Sequence, residues 1–333
     1  MGVPEFIIPV HPFFFFKGIR NILSSFFFSG MQPSALSCVL INRNDKRNYN
    51  MKTHRFLAFL SIIASLFFTA NATEKIEGNG TIVTKEFSVG PYDGIEVGGM
   101  QYGARSTPFS FMKWEGTKGS AAPMFYYTQG KTHSLTVTTD KNIMPHLKVR
   151  VIDKVLTIRT EDGYGICPTK FLMRGTSTDL KSIKITGGGH FYIDSYLKGD
   201  EMDAFITGGG NLHMDNPIVL EECNLKVTGG GNLEAKSLSC KEINVKITGG
   251  GDAFLQGKAE EGNVIVTGGG DLHAYGFEVK EYEVSVTGGG RAEVFATEKL
   301  DARVTGGGDL YYKGTPKEKT TSTTGGGNIR AVK

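Results

Sequence analysis

The sequence predicts an all-β fold: a right-handed parallel β-helix or β-solenoid with about 20 residues per turn and an N-terminal β cap. Three observations predict it. Thr-Gly-Gly-Gly occurs eight times, starting at Thr186, Thr207, Thr228, Thr248, Thr267, Thr287, Thr305 and Thr324, with gaps of 18 to 21 residues. Fixed self-similarity at this length marks a solenoid, whose repeats bury their apolar faces only against their neighbours. Around the motif, apolar residues alternate with period two, as in Ile183/Ile185 before the glycines and Phe191/Ile193 after them, which means strands. In the last repeat the inward positions hold Thr321 and Thr323, a polar end that discourages end-to-end stacking through open strand edges.

Residues 1–50 carry the runs Phe13–Phe16 and Phe26–Phe28 without helical or strand periodicity and end in the polar "NRNDKRNYN". They read as a mis-assigned N-terminal extension, with Met51 as the true start. A two-part leader or membrane anchor is the rival, but no run there reaches the ~18 apolar residues of a spanning helix. Residues 51–72 have the layout of a secretory signal peptide: basic Lys52 and Arg55, an apolar run from Phe56 to Phe68, and Ala70 and Ala72 flanking Asn71 at a cleavage site. The protein is therefore expected to be exported, to the periplasm, the cell surface or the medium.

The whole chain has a formal charge of +3, but without residues 1–72 it holds 30 basic and 32 acidic residues, a net −2. That balance offers no concentrated positive face for nucleic acid and no basic patch for a membrane surface. No transmembrane segment is expected in the mature chain. Its cysteines are Cys167, Cys223 and Cys240, and none follows the cleavage site, where lipid would attach. Cys223 and Cys240 lie five and eight residues before their respective Thr-Gly-Gly-Gly, out of phase, so idle buried thiols are the default and a disulfide the alternative.

Residues 73–180 are read as an N-terminal β region continuous with the solenoid, strand-like in "SLTVTT" and "LKVRVIDKVLTIRT" but without regular glycines. The long segment from Gly98 to Phe125 carries Phe109, Phe111, Met112 and Trp114 among Gly, Ser and Lys. It reads either as a binding projection or as a loop whose aromatics tuck under the sheet.

Residues 181–333 are the repeat solenoid. Each repeat is a strand, the glycine run, a second strand and a polar return of about eight residues. Constant phase implies parallel stacking, with eight turns giving a rod on the order of 40 Å long. The glycines form a corner in the preferred reading, supplying positive φ and letting corners stack without side chains colliding. The same parity also fits a strand running straight through them. After each triplet come His190, Asn211, Asn232, Asp252, Asp271, Arg291, Asp309 and Asn328, mostly residues that hydrogen-bond locally in turns.

Catalytic signatures are missing. Gly130-Lys131-Thr132 ends like a phosphate-binding loop, but position 125 is Phe where Gly is required. There is no G-x-S-x-G and no H-E-x-x-H, and His133, His146, His190, His213 and His273 lack metal-ligand spacing. Asp252, Asp271 and Asp309 follow glycines as in calcium-binding nonapeptide rolls, but the period here is about twenty. No cofactor, metal or catalytic residue is expected. Six residues after each Thr runs an outward row of Tyr192, His213, Glu234, Phe254, His273, Glu293, Tyr311 and Arg330. Aromatics on a rigid face can stack sugar rings, although strand propensity alone favours them there. Candidate ligand contacts are Tyr192, His213, Phe254, His273 and Tyr311, together with Trp114. Glu234 and Glu293, three turns or ~14 Å apart, are too distant for a glycosidase pair.

"FSVGPYDGIEV" (87–97), "YYTQG" (126–130), "NIMPHLKVRVIDKVLTIRT" (142–160) and the Thr-Gly-Gly-Gly-[Asn/Asp] series together resemble the putative auto-transporter adhesin, head GIN domain family, over nearly the whole mature chain. The resemblance implies an exported, β-helix-like bacterial protein of the cell surface or periplasm, with no established ligand or catalytic residues to carry over. The Gly98 to Phe125 segment is longer than the family's usual link. The reading is a non-catalytic adhesin or envelope interaction module whose partner is a surface protein or glycan. Its alternatives are a polysaccharide-binding or polysaccharide-cleaving β-helix protein and a periplasmic scaffold or stress component.

Overall fold

The computed structural model describes residues 74–98 and 121–332. The proposed extension 1–50, the signal peptide 51–72 and residues 99–120, including Trp114, lie outside the described residues. The rest is a parallel β-solenoid. Eight rungs, one per glycine triplet, stack in register on two N-terminal rungs. On the first face the strands before the glycines pair parallel from Ser182–Gly187 up to Glu318–Gly325, and Thr186, Thr207, Thr228, Thr248, Thr267, Thr287, Thr305 and Thr324 fall into one column. On the second face the strands after the glycines stack likewise from His190–Ile193 to Asn328–Ala331.

The polar return, to which the repeat pattern assigned no strand, itself pairs as a third face. Leu197, Ile218, Leu238, Gly257 and Phe277 are register partners there. In the upper rungs, Ala253–Gly268, Asp271–Gly288 and Arg291–Gly306 run as single strands from one glycine corner to the next. Alternation sends Ile183, Ile185, Phe191, Ile193 and their equivalents inward, where they are nearly inaccessible to solvent.

The chain does turn at the glycines. The first glycine of each triplet has φ between 94° and 114°, where a side chain would be strained. Up to Gly288 its carbonyl accepts the N–H of the second glycine one rung on, as from Gly250 to Gly229 at 3.0 Å, and at the last corner Gly306 accepts from Gly327 at 2.9 Å. The Asn/Asp preference after the triplet has a different cause from the local turn bonds expected. Each side-chain oxygen accepts the backbone N–H of the next rung: Asp252 N–H to Asn232 Oδ1 is 3.2 Å and Asp271 N–H to Asp252 Oδ1 is 3.0 Å. Arg291 offers no acceptor, so the N–H of Asp309 bonds the Gly290 carbonyl instead, at 3.1 Å.

The N-terminal rungs are laid down out of sequence order. Gly94–Val97 lies between Val155–Thr160 and Ser182–Gly187, and Met124–Gln129 between Phe171–Ser177 and His190–Ile193. Beyond them the pairing turns antiparallel, Ser134–Asp140 against Phe171–Ser177 and Ile82–Phe87 against Ser134–Asp140. Leu147–Ile152 closes onto Val155–Thr160 through Asp153 and Lys154, both at positive φ as in a type I′ hairpin. Buried Asp140 ties this cap together. Burial alone would raise its pKa, but the Thr169 hydroxyl (2.7 Å) and the N–H groups of Thr169 (2.8 Å) and Gly80 (2.8 Å) bond the ionised carboxylate and hold it below its ordinary value. At the other end Thr321 and Thr323 are exposed.

Candidate functional site

Constant register beside the glycine corners turns outward positions of the first and second faces into columns along the stack. Tyr192, His213, Glu234, Phe254, His273, Glu293, Tyr311 and Arg330 are successive Cα partners on the second face. All the described candidates, Tyr192, His213, Phe254, His273 and Tyr311, thus stand in one row; Trp114 is not described. Tyr126 and Arg174 extend the row by two rungs at its N-terminal end. No glycine triplet precedes these two, so their phase could not be read from the repeat.

The row twice repeats the order aromatic, histidine, glutamate. Tyr192 stacks on His213 at 4.7 Å, and His213 Nδ1 lies 3.5 Å from Glu234 Oε2. Phe254 stacks on His273 at 4.6 Å, and His273 Nδ1 lies 2.8 Å from Glu293 Oε2. Tyr126 stacks on Tyr192 at 4.7 Å, with the Arg174 guanidinium 5.0 Å from the Tyr126 ring centre. These spacings match the distance between rungs, so neighbouring rings cover one another's faces and present their edges outward. Burial, then Tyr126, raises the Tyr192 phenol, and burial, then His213, lowers the His190 imidazole. Two rungs, those of Phe254 and His273, separate Glu234 from Glu293.

The first face carries columns that the sequence reading passed over, although aligning the repeats on their threonines would have exposed them. Glu201, Glu222, Glu242, Glu261 and Glu281 stack in register. Beside them Asn224 and Asn244 form an amide ladder, with Asn244 Nδ2 donating to Asn224 Oδ1 at 3.0 Å and to Glu242 Oε1 at 2.9 Å. Next comes a column of Lys184, Phe205, Lys226, Lys246 and Ile265. Among the described residues no three His, Cys, Asp or Glu side chains are grouped to hold a metal ion, and no helix is long and apolar enough to cross a membrane. Cys167, Cys223 and Cys240 are free thiols, the last two buried.

A family profile described as putative auto-transporter adhesin, head GIN domain, matches residues 120–219 and 204–316. Among solved structures, a putative lipid binding protein from Parabacteroides distasonis is similar at 26% identity with a TM-score of 0.69. A putative adhesin from the same organism is similar at 29% and 0.67, and one from Parabacteroides merdae at 26% and 0.67. Each similarity covers 78% of this chain and 100% of the other. No curated protein matches the chain.

Proposed function

Since the chain belongs to the putative auto-transporter adhesin, head GIN domain family, we propose that it is an exported, non-catalytic β-solenoid that holds side-chain columns rigidly toward a partner at the cell surface or in the envelope, a protein or a glycan. The register of the outward row carries this reading. Equivalent side chains repeat at a constant spacing on a backbone whose hydrogen bonds fix it, which suits an extended partner more than an enclosed small molecule. Because Tyr126, Tyr192 and His213 stack on each other, as do Phe254 and His273, contact with these parts of the row would come from ring edges, the imidazoles, and the Glu234 and Glu293 carboxylates.

The test is a glycan and protein array probed with the full chain and with a variant carrying Ser at Tyr192, His213, Phe254, His273 and Tyr311. Retention of the native chain on a defined subset, weakened at least about tenfold in a variant with unchanged circular dichroism, supports the reading. Release of reducing ends from an array polysaccharide would favour the cleaving alternative. Protease added to intact cells distinguishes the two places: cleavage without lysis assigns the chain to the cell surface, and cleavage only after the envelope is permeabilised assigns it to the periplasm.

A further inference from the structure

We infer that the first face carries a binding site for an acidic glycan chain, centred on Lys226 and Lys246. The two are register partners on adjacent rungs, so their like charges lie side by side. The column continues from Ile265 through Ser285 to Arg303, and its other basic residues are ion-paired: Lys184 Nζ lies 3.5 Å from Glu96, and Arg303 lies 3.1 Å from Asp301. Neither Lys226 nor Lys246 has an ion pair among the described residues. The neighbouring carboxylates are engaged by amides: Asn224 donates to Glu222 and Asp203, and Asn244 to Glu242.

An open groove of about 240 Å³ runs over this pair, bounded by Phe205 on the rung below Lys226 and Ile265 on the rung above Lys246, each 37% exposed. The two apolar ends are three rungs, or ~14 Å, apart. The Phe205 ring stacks on no other ring among the described residues, unlike Tyr126, Tyr192, His213, Phe254 and His273 of the second-face row, so it can receive the apolar face of a sugar. The groove is open to solvent, which suits a polymer lying across it; of its apolar lining residues Leu225 and Val245 are buried, and the two exposed side chains, Phe205 and Ile265, are too few to enclose an acyl chain. The ligand chemistry is therefore a glycan whose carboxylate or sulfate meets the lysines while ring faces meet Phe205 and Ile265. This inference rests on the reading of the chain as a binding module, and its test tells the two apart.

Full-length protein is titrated with polygalacturonate, with its fully methyl-esterified form, and with phosphatidylglycerol vesicles. The expected result is saturable binding to polygalacturonate that weakens with salt, binding at least about tenfold weaker to the ester, and a similar loss in Lys226→Gln/Lys246→Gln with an unchanged melting curve. Phe205→Ala weakens binding to both forms of the polymer, because it removes the neutral contact. Equal binding to the ester, undiminished binding by the double lysine variant, or binding to vesicles alone would each overturn the site. Acidic glycan bound elsewhere on the rod leaves the module reading intact while refuting this one. Chain cleavage that disappears in the lysine variant would keep the site and refute the non-catalytic reading.

Discussion

Each glycine of a corner meets a different demand. Gly249 has φ +114°, and a Cβ on Gly251 would strike the carbonyl oxygen of Gly231 one rung below. A Cβ on Gly250 would meet nothing within 4 Å. Gly249→Ala and Gly251→Ala are each expected to cost about 1–3 kcal/mol through backbone strain and overpacking. Gly250→Ala should be neutral or stabilise by up to ~1 kcal/mol, because it restricts the unfolded chain. Thermal melting of the three variants checks this, and equal losses at all three positions would refute the assignment. The sequence favours a corner at the triplet but treats its members alike; the difference between them lies in the rung beneath. The same holds for Asn232 and Asp252, whose preference is legible while their partner, the backbone of the next rung, is not.

Between neighbouring strands the core is fitted by size. Tyr282 is the register partner of Gly262, and a Cβ on Gly262 would come within 2.8 Å of the Tyr282 ring. Phe277 is likewise paired with Gly257. Tyr282 is 2% exposed and its hydroxyl has no hydrogen-bond partner among the described residues; burial pushes the phenol well above its ordinary range. Tyr282→Phe should therefore leave stability unchanged or raise it by up to ~1 kcal/mol, since it removes an unpaired buried hydroxyl. Tyr282→Ala should cost about 3–5 kcal/mol by opening a cavity. Urea denaturation midpoints decide, and a clear loss in Tyr282→Phe would mean that the hydroxyl is satisfied in solution. Period-two alternation marks Tyr282 as inward, but nothing local tells that the strand below offers a glycine to receive it.

At the level of the molecule, a stack of nearest-neighbour rungs should tolerate the loss of a whole rung but not the loss of complementary neighbours. Deleting residues 228–247 leaves Tyr282 over Gly262 and Phe277 over Gly257. Deleting residues 248–266 puts Tyr282 over Ile243 and Phe277 over Leu238, because Gly257 and Gly262 are gone. The first deletion is expected to melt in one cooperative step at a somewhat lower temperature, and the second to melt much lower or fail to fold. Circular dichroism melting compares them; indistinguishable curves would show that rung contacts are interchangeable and that the size matching has no energetic weight.

Period and parity alone determined that the chain stacks in parallel rungs and lines Tyr192, His213, Phe254, His273 and Tyr311 along one face, because a repeat in constant phase places equivalent residues at one height per turn. Tertiary structure alone decided that Gly94–Val97 slips between Val155–Thr160 and Ser182–Gly187, that the chain turns at each glycine triplet, that the return pairs as a third face, and that Lys184 finds Glu96 while Lys226 and Lys246 find no carboxylate among the described residues. The physical reason is range. Phase is written in every repeat, but which strand lies beneath another, and which charge stands within reach, depends on contacts between distant segments that leave no periodic mark in the chain.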